Sequence, residues 1–387
     1  SIYRFKNKTN LNKEIKKNIN ISNNFEEKKK NLRRFKQGEE LRIGIRYIIG
    51  EADIEGTLKD LSSLAETHIE NAYQLALTKL SAQYPSERII PNNFAIIGMG
   101  KIGGNEINFK SDLDLIFVYE TNKDDSLFSD NVVLFYTKIY QLLHELTSQV
   151  TSSGYAYKID SDLRPEGKSG LMVNSIKSYE EYYRVRARTW EQQSMVRARF
   201  IAGNQQTGKN FINMVNSFTY RPKLEYESII EISRSREKIE QDLAEEATKG
   251  KNIKLGYGGL ADIEFSVQIL QMMHGGKNSR LRETNTLCAL AQLDALGIID
   301  HEDSKNIKKN YLFLRNLECS LRIQNISLMS HLPKEQDKLL ILARFLKYSG
   351  ENPIVIVRKF MNEYDQSTKE IRIFYRKTID NLLRNAL

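Results

Sequence analysis

Residues 98–119 read GMGKIGGNEINFKSDLDLIFVY and place a glycine-rich turn, two aspartates and an apolar run in direct succession. The run LDLIFVYE over 113–120 and the run NFAIIGMG before it are short, apolar and rich in β-branched and aromatic residues, which predicts two strands. Asp112 and Asp114 are two residues apart, so on a strand they would project from one face, about 7 Å apart at the backbone. The stretch therefore predicts two strands joined by a glycine turn, with paired carboxylates.

These carboxylates favour a divalent cation. Two like charges on one face are costly unless a metal ion neutralises them or one stays protonated. The ligands are hard oxygens with no His or Cys nearby, which favours Mg²⁺ or Mn²⁺ over zinc. The best candidate for a third acid is Asp160, in YKIDSDLRP on another predicted strand. Three carboxylates around two metal ions, about 4 Å apart, would clamp a triphosphate and activate an incoming hydroxyl.

The turn GMGKIGG would let a ligand approach the backbone closely, and its consecutive N–H groups could hold phosphate oxygens. It lacks the spacing of a Walker motif and that of a dinucleotide-binding fingerprint. An aspartate pair by itself is usually a capped turn or a solvated strand edge. Here GxGKxGGxExNxxSD leads directly into the pair and DxxLRPxGxSG follows it, and this combination favours a nucleotide site.

The rest of the chain is predominantly helical in its pattern. Apolar residues at three- and four-residue spacing predict helices over 34–84, with a break near 50–56, and over 132–149. Two further strands are predicted near 155–162 and 170–174, and almost everything after Ser178 is predicted helical. The expected divisions are a polar N-terminal helix or partly disordered lead-in (1–40), a catalytic domain that contains the acid pair (41–205) and a helical domain (206–387).

Composition narrows the class of protein. The 387 residues are 40% hydrophobic and 28% charged, as in a folded soluble protein, and carry a formal net charge of +9. That charge permits a polyanionic partner, but no basic and aromatic interleaved platform for single strands is present, so we expect no nucleic acid partner. No apolar run approaches the roughly 18 residues of a spanning helix, and no signal-peptide pattern appears, which predicts a cytoplasmic protein without membrane association.

Three other groups of residues invite a functional or a structural interpretation. Arg197 and Arg199, in VRARF on a predicted helix, point in different directions, so at most one would face phosphates while the other braces an acid. Trp190 is expected in the core. The glycines of KLGYGGLADIEF either cap a helix or present N–H groups to an anion, with Asp262 and Glu264 in the first turn. The five histidines form no ligand or triad pattern.

Four ordered motifs resemble the bacterial glutamine synthetase adenylyltransferase family, from about residue 32 to the end: GMGKIGGNEINFKSDLDLIFVY, TSSGYAYKIDSDLRPEGKSGLMVNS, YYRVRARTWEQQSMVRARFIAGN and KLGYGGLADIEFSVQILQ. That family has two nucleotidyltransferase halves, one transferring AMP from ATP to a tyrosine of glutamine synthetase, the other removing it by phosphorolysis. This chain has one half. The resemblance implies an α+β fold, with a nucleotidyltransferase-type mixed sheet core and flanking helices, followed by an all-helical domain.

The resemblance also implies a set of site residues. Asp112, Asp114 and Asp160 would hold Mg²⁺ or Mn²⁺, with ATP as substrate, glutamine synthetase as protein substrate and a PII-type signal protein as a further partner. The residues around the phosphates would be Gly98, Gly100, Lys101, Gly103, Gly104, Ser111, Arg164 and Arg197. One position departs from the family pattern: Asp162 stands where an arginine is typical, which removes one positive group and adds an acid.

Alternatives follow from the same residues. TSSG, TWEQQSMVRAR and NLRRFKQGEELRIGI resemble the adenylylating half and favour that direction, whereas QILQMMHGGKNSRLRETNTLCAL resembles the deadenylylating half. Asp162 motivates a second alternative, a catalytically silent module that binds nucleotide or a partner. A third, a transferase that modifies polynucleotides, rests on the basic charge alone.

Overall fold

A computed structural model describes residues 3–83, 92–121, 129–151, 154–222, 224–245, 251–324 and 330–386. Two serines of the TSSG motif lie outside these residues. The chain forms two compact units, residues 1–219 and 220–387, which are described separately. The predicted functional divisions at 40/41 and 205/206 stay predictions.

Three helices open the first unit: α1 (Lys8–Ile19), α2 (Phe25–Ile48) and α3 (Ile54–Ser81). Each begins at a side chain that accepts backbone N–H groups of the first turn, Asn7, Asn24 and Asp53 respectively. The predicted break near 50–56 is confirmed, because α2 ends and α3 starts within six residues of each other. The first thirty residues, polar as they are, contribute α1 and the start of α2.

A five-stranded mixed sheet forms the centre of the first unit. Its strands are β1 (Phe94–Gly98), β2 (Leu113–Tyr119), β3 (Ile159–Asp160), β4 (Val173–Ser175) and β5 (Arg199–Gly203). β1 pairs antiparallel with β2 and with β5, whereas β2 pairs parallel with β3 near its start and with β4 near its end. The predicted α+β class with a mixed sheet is confirmed.

Helices cover both faces of the sheet, which explains why every residue of β1 is buried. The remaining helices of this unit are α4 (Gly100–Gly103), α5 (Ser129–Thr147), α6 (Ile176–Val185), α7 (Thr189–Ser194) and α8 (Gln205–Thr219). On one face Ile97 and Ile116 belong to a cluster with Tyr179 of α6 and Phe211 of α8. On the other face Phe94 stacks against rings from α3 and α5.

Three expectations about this unit are corrected. The region after Ser178 is not all helical, since residues 199–203 form β5; a five-residue run, RFIAG, is too short for periodicity to separate strand from helix. The strands expected over 155–162 and 170–174 shrink to two residues and to Val173–Ser175. Trp190 is 42% exposed rather than in the core, because the short α7 buries the three residues that follow it.

The described residues of the second unit form helices, apart from 3₁₀ turns and one isolated bridge between Asn252 and His331. The helices are α9 (Tyr226–Glu245), α10 (Leu260–His274), α11 (Thr286–Ala295), α12 (His301–Ile323), α13 (Gln336–Phe345) and α14 (Pro353–Ala386). α10 packs against α9, α11, α12 and α14. Across the described ranges, no helix combines the length and the apolarity that crossing a bilayer requires.

Candidate active site

The glycine turn connects β1 to β2 through the four-residue helix α4. Gly98 closes β1, Lys101 lies partly buried on α4, and Gly104 follows it. Gly100 has φ +49°, and a side chain there would overlap the Asp114 carboxylate. Gly103 lies so close to the carbonyl of Arg197 that a side chain would overlap that backbone oxygen. The turn is therefore pressed between Asp114 and the segment before β5, so that Gly100 favours glycine and Gly103 requires it.

The three predicted metal ligands lie at one edge of the sheet. Asp114 and Asp160 are register partners in the parallel pair of β2 and β3, so their Cα atoms face each other across neighbouring strands, which lie about 4.8 Å apart. Asp112 precedes β2 by one residue. Asp112 and Asp160 are exposed, whereas Asp114 is partly buried against Gly100. The fold thus brings together acids that are 46 residues apart in sequence.

The chemistry of these acids suits a hard divalent cation, since all their ligand atoms are oxygens. Within the described ranges, neither Asp112 nor Asp160 has a lysine, arginine or histidine at ion-pair distance, and Asp160 Oδ1 accepts the Asp162 N–H (2.9 Å). Among the same residues, no three His, Cys, Asp or Glu side chains are gathered closely enough to hold a metal ion as they stand. The backbone placement fits the predicted ligand set, and metal binding itself stays a prediction.

Two arginines brace the carbonyl side of the glycine turn. Arg197 is buried and donates from one terminal nitrogen to Glu106 (3.0 Å) and to the Gly100 carbonyl (3.4 Å). Arg199 donates from Nε to the Gly103 carbonyl (2.9 Å) and from a terminal nitrogen to the Ile102 carbonyl (2.7 Å). Both arginines also contact an acid. A direct contact between Arg197 and a phosphate stays a prediction.

Arg164 organises the loop that follows Asp160. Its buried guanidinium donates to the carbonyls of Ser161 (2.8 Å), Lys168 (3.1 Å) and Gly170 (3.1 Å). Three charge-assisted bonds to one loop fix its shape. The half-exposed Asp162 lies 3.6 Å from Arg164 and 3.6 Å from Lys168, so two cations partly offset its charge. The placement makes Arg164 a brace of the loop, and a role at the phosphates stays a prediction.

Ser111 closes the turn just before the aspartates. Its buried hydroxyl accepts the Asn108 N–H (3.2 Å), and its own N–H donates to the Asn108 carbonyl (3.2 Å). This reciprocal pair sets the direction in which the chain enters β2. Ser111 therefore positions Asp112 through the backbone, whatever else its hydroxyl contacts.

The family model described as glutamate-ammonia ligase adenylyltransferase matches residues 1–214, more than half of the chain and the whole of the site above. The chain belongs to this family. The resemblance drawn from the four motifs is thereby confirmed. A second model, described as GlnD PII-uridylyltransferase, matches residues 231–379 of the helical unit.

Curated relatives carry the name bifunctional glutamine synthetase adenylyltransferase/adenylyl-removing enzyme. The one from Hahella chejuensis is 31% identical over 313 residues, covering 79% of this chain and 32% of the relative. The one from Pseudomonas putida is 33% identical over 300 residues, covering 76% of this chain and 30% of the relative. The one from Burkholderia mallei is 34% identical over 325 residues, covering 79% of this chain and 35% of the relative. The chain spans about a third of the length of these relatives.

The second glycine motif of the family resemblance is structural. Asp262 on α10 is fully buried, accepts the Gly258 N–H (3.0 Å) and pairs with Arg236 (2.6 Å) and Arg372 (3.3 Å). The turn before α10 therefore gives an N–H group to its own helix. This supports the helix-cap interpretation over the anion-binding one. Glu264, the other acid of the motif, pairs with the buried Arg315 (2.8 Å).

Sequence reasoning missed two acids next to the site. Glu106 is buried and paired with Arg197, and it lies within the motif GGNE that opened the analysis. Glu66 lies on α3, far from every motif, and contacts Arg199. Its signal was a charged residue on the apolar face of a predicted helix, between Ala65 and Ile69, both buried. A buried charged residue needs a partner of opposite charge, and the sequence alone does not predict which residue that is.

Proposed function

We propose that this chain transfers AMP from ATP to a tyrosine of glutamine synthetase, in line with the printed names of its relatives. The observation that carries the proposal is the pairing of Asp114 with Asp160 beside the Gly100 turn, with Asp112 one residue before the strand. Of these three acids, Asp112 and Asp160 have no ion pair within the described residues. They lie next to a glycine turn whose backbone a ligand can approach closely. This arrangement suits a nucleotide with its metal ions.

Asp112, Asp114 and Asp160 would hold Mg²⁺ or Mn²⁺. When bound, these ions neutralise the triphosphate and polarise the α-phosphate. The exposed Asp160 would accept the proton of the tyrosine hydroxyl, whose oxygen forms a bond to the α-phosphorus while the bond to the β,γ-pyrophosphate breaks. The glycine turn would receive the phosphates, because Gly100 and Gly103 leave no side chain between the backbone and a ligand.

The second unit is the proposed partner-binding part. Residues 231–379 match a PII-uridylyltransferase model, which supports a PII-type signal protein as a regulator. We place the protein in the cytoplasm, where ATP and glutamine synthetase are found. Neither Cys288, which is exposed, nor Cys319, which is buried, forms a disulfide bond among the described residues, as suits a reducing compartment.

A labelling experiment tests the proposal. The chain is mixed with unmodified glutamine synthetase, Mg²⁺ and ATP labelled at the α-phosphate, and the labelled residue is located by mass spectrometry. The proposal predicts label on one tyrosine and release of unlabelled pyrophosphate. Glutamine synthetase with that tyrosine replaced by phenylalanine is the control. Absence of label from glutamine synthetase, with the chain folded, contradicts it.

The second candidate is the reverse specificity, removal of AMP by phosphorolysis. It is favoured by the segment QILQMMHGGKNSRLRETNTLCAL and by the adenylyl-removing activity in the relatives' names. The same protein is incubated with adenylylated glutamine synthetase and inorganic phosphate. Release of ADP in this arm, with no label in the first, assigns the chain to phosphorolysis. ATP binding without either reaction would favour the silent module that Asp162 suggests.

A further inference from the structure

A chain of charged side chains links α1 and α3 to the carbonyl side of the glycine turn. Glu66 of α3 is buried, and its two carboxylate oxygens accept bonds from Arg199 (2.5 Å) and Lys8 (2.5 Å). Although burial opposes ionisation, Arg199 and Lys8 hold the pKa of Glu66 below its usual value. Glu66 is therefore a fixed negative charge at neutral pH.

Arg199 connects Glu66 to the glycine turn. Its guanidinium spans Glu66 on one side and the carbonyls of Ile102 and Gly103 on the other. The carbonyls at the end of a helix lack the full set of helical partners. The Ile102 carbonyl accepts a long bond from the Asn105 N–H (3.3 Å), and Arg199 adds a shorter one to it and a further bond to the Gly103 carbonyl. The guanidinium makes both bonds in a fork that a lysine could not reproduce.

The turn that Arg199 fixes is the one in contact with Asp114. A side chain at Gly100 would overlap the Asp114 carboxylate, so a small movement of α4 changes the space available to that carboxylate. The described contacts of Arg199 are therefore with Glu66 and with the backbone of the turn, and none is with Asp112, Asp114 or Asp160.

We propose that Glu66 and Arg199 are positioning residues for nucleotide binding: Glu66 orients Arg199, and Arg199 holds the Ile102 and Gly103 carbonyls so that the glycine turn keeps its place against Asp114. The inference rests on the proposed function, since the turn must bind the nucleotide for its position to matter. It adds two residues that lie outside the glycine turn and its acids, one of them outside every motif.

The experiment measures the dissociation constant of a non-hydrolysable ATP analogue with Mg²⁺ by calorimetry, for the whole chain and its variants. Arg199→Met removes both carbonyl bonds and is expected to weaken binding about tenfold or more, the range for residues that orient a binding group. Arg199→Lys keeps the charge but not the fork, so its dissociation constant is expected to lie between those of the wild-type chain and Arg199→Met. Far-UV circular dichroism and the melting midpoint report whether each variant is folded.

The matched control is Lys8→Met. Lys8 contacts the same Glu66 carboxylate but reaches no atom of the turn in the described contacts, so its loss is expected to change the dissociation constant by less than about twofold. A purely structural role of the Glu66 cluster would make Lys8→Met and Glu66→Gln alike. The inference predicts that they differ.

A double-variant cycle decides whether Glu66 acts through Arg199. Glu66→Gln is expected to weaken nucleotide binding in the wild-type chain and to have no further effect in the Arg199→Met chain. Additive effects, or an unchanged dissociation constant in folded Arg199→Met, overturn the inference and leave the proposed function standing. If Arg199→Met does not fold, the same cycle is measured with Glu66→Gln and Arg199→Lys, and additive effects on the dissociation constant again overturn the inference. A wild-type chain that binds no nucleotide contradicts the proposed function itself, and the inference with it.

Discussion

Two glycine-rich turns, GMGKIGG at 98–104 in the first unit and GYGG at 256–259 in the second, share the same ingredients. Each contains a glycine with positive φ, +49° at Gly100 and +62° at Gly258. Each is followed by two acids two residues apart and is contacted by arginines. The two turns nevertheless place their acids in opposite surroundings.

In the second unit both acids are paired with arginines. Asp262 is fully buried between Arg236 and Arg372, and Glu264 pairs with Arg315. In the first unit the arginines contact the carbonyls of the turn and the separate acids Glu66 and Glu106. Asp112 and Asp160 are left at the surface with no ion pair among the described residues.

From this difference we infer which property would separate the proposed ligand site of the first unit from the structural turn of the second. A buried carboxylate must be paired, because the cost of removing its charge from water is several kcal/mol. An exposed group of carboxylates that the fold does not pair adds repulsion and no stability of its own. The glycine pattern is common to both turns, and the placement of positive charge distinguishes them.

The largest expected effect is on catalysis. Asp114→Asn keeps the shape of the side chain and removes a proposed metal ligand, so AMP transfer should fall on the order of 10³-fold, about 4 kcal/mol in the barrier. The measurement is the rate of label transfer, paired with urea unfolding.

Glu180→Gln, at an exposed acid of α6, serves as the control for this variant. Its transfer rate should match that of the unaltered chain. An Asp114→Asn protein that transfers AMP at the wild-type rate would show that Asp114 and its neighbouring acids do not form the site.

For Asp262→Asn the main effect is expected on stability rather than on catalysis. This change removes the buried carboxylate between Arg236 and Arg372 and leaves them only the partly exposed Glu240, 3.6 Å and 2.9 Å away, so the free energy of unfolding should fall by about 3 kcal/mol. Urea unfolding of the variant measures it, with Asp380→Asn, at an exposed position on α14, as the control. A loss below about 1 kcal/mol would mean that the pairing in the second turn is not what stabilises it.

A pair of alanine substitutions compares the turns directly. In Gly258→Ala the methyl group meets the Thr368 carbonyl, a backbone atom that cannot turn aside, so unfolding free energy should fall by about 2 kcal/mol or more. In Gly100→Ala the methyl group meets the Asp114 carboxylate, which can rotate away. Its cost in stability should be nearer 1 kcal/mol, with a larger loss in nucleotide affinity.

Both variants are measured by urea unfolding and by calorimetric titration with the ATP analogue. Equal losses of stability with no loss of affinity in Gly100→Ala would remove the distinction between the two turns.

A smaller, pH-dependent effect comes from a buried group with no acid to pair with. His68 is fully buried, neither ring nitrogen has a hydrogen-bond partner among the described residues, and burial lowers its pKa from 6.5 to about 3, with Lys36 and Arg33 adding to the shift. Because the folded pKa is the lower one, the unfolded chain takes up the proton first. Stability contributed by neutral His68 is therefore present above pH 6.5 and is lost as pH falls towards 3.

The loss should approach 1.4 kcal/mol for each pH unit within that window. His68→Phe removes the part of the pH dependence that comes from protonation of His68. The unfolding free energy of the variant should therefore fall less steeply between about pH 6 and pH 4. Urea unfolding across that range measures both slopes. Parallel slopes in the two proteins would show that His68 does not titrate as its burial requires.

The parts of the site that the sequence predicts are those encoded locally. The strands β1 and β2, the turn between them and the acid pair lie within about 26 residues, from Phe94 to Tyr119, where pattern and spacing suffice. Asp160 was reached by chemistry, since a two-metal site needs a third acid, and the structure places it beside Asp114. The α+β class followed from the family resemblance and is confirmed.

The missed parts depend on contacts between distant segments. β5 is five residues long and becomes a strand because β1 offers it an edge. The partner of Glu66 lies 133 residues further along the chain, so no local pattern predicts the pair. Arg197 and Arg199 were expected on one helix, and their contacts with the turn arise from a 3₁₀ turn that leads into β5.

The most direct test of the central claim is the binding of Mn²⁺, followed by electron paramagnetic resonance in the presence of a non-hydrolysable ATP analogue. The account predicts that the unaltered chain binds two ions per nucleotide and that Asp112→Asn with Asp114→Asn abolishes this binding in a folded protein. Asp380→Asn should bind as the unaltered chain does. Undiminished Mn²⁺ binding by the double variant would contradict the account.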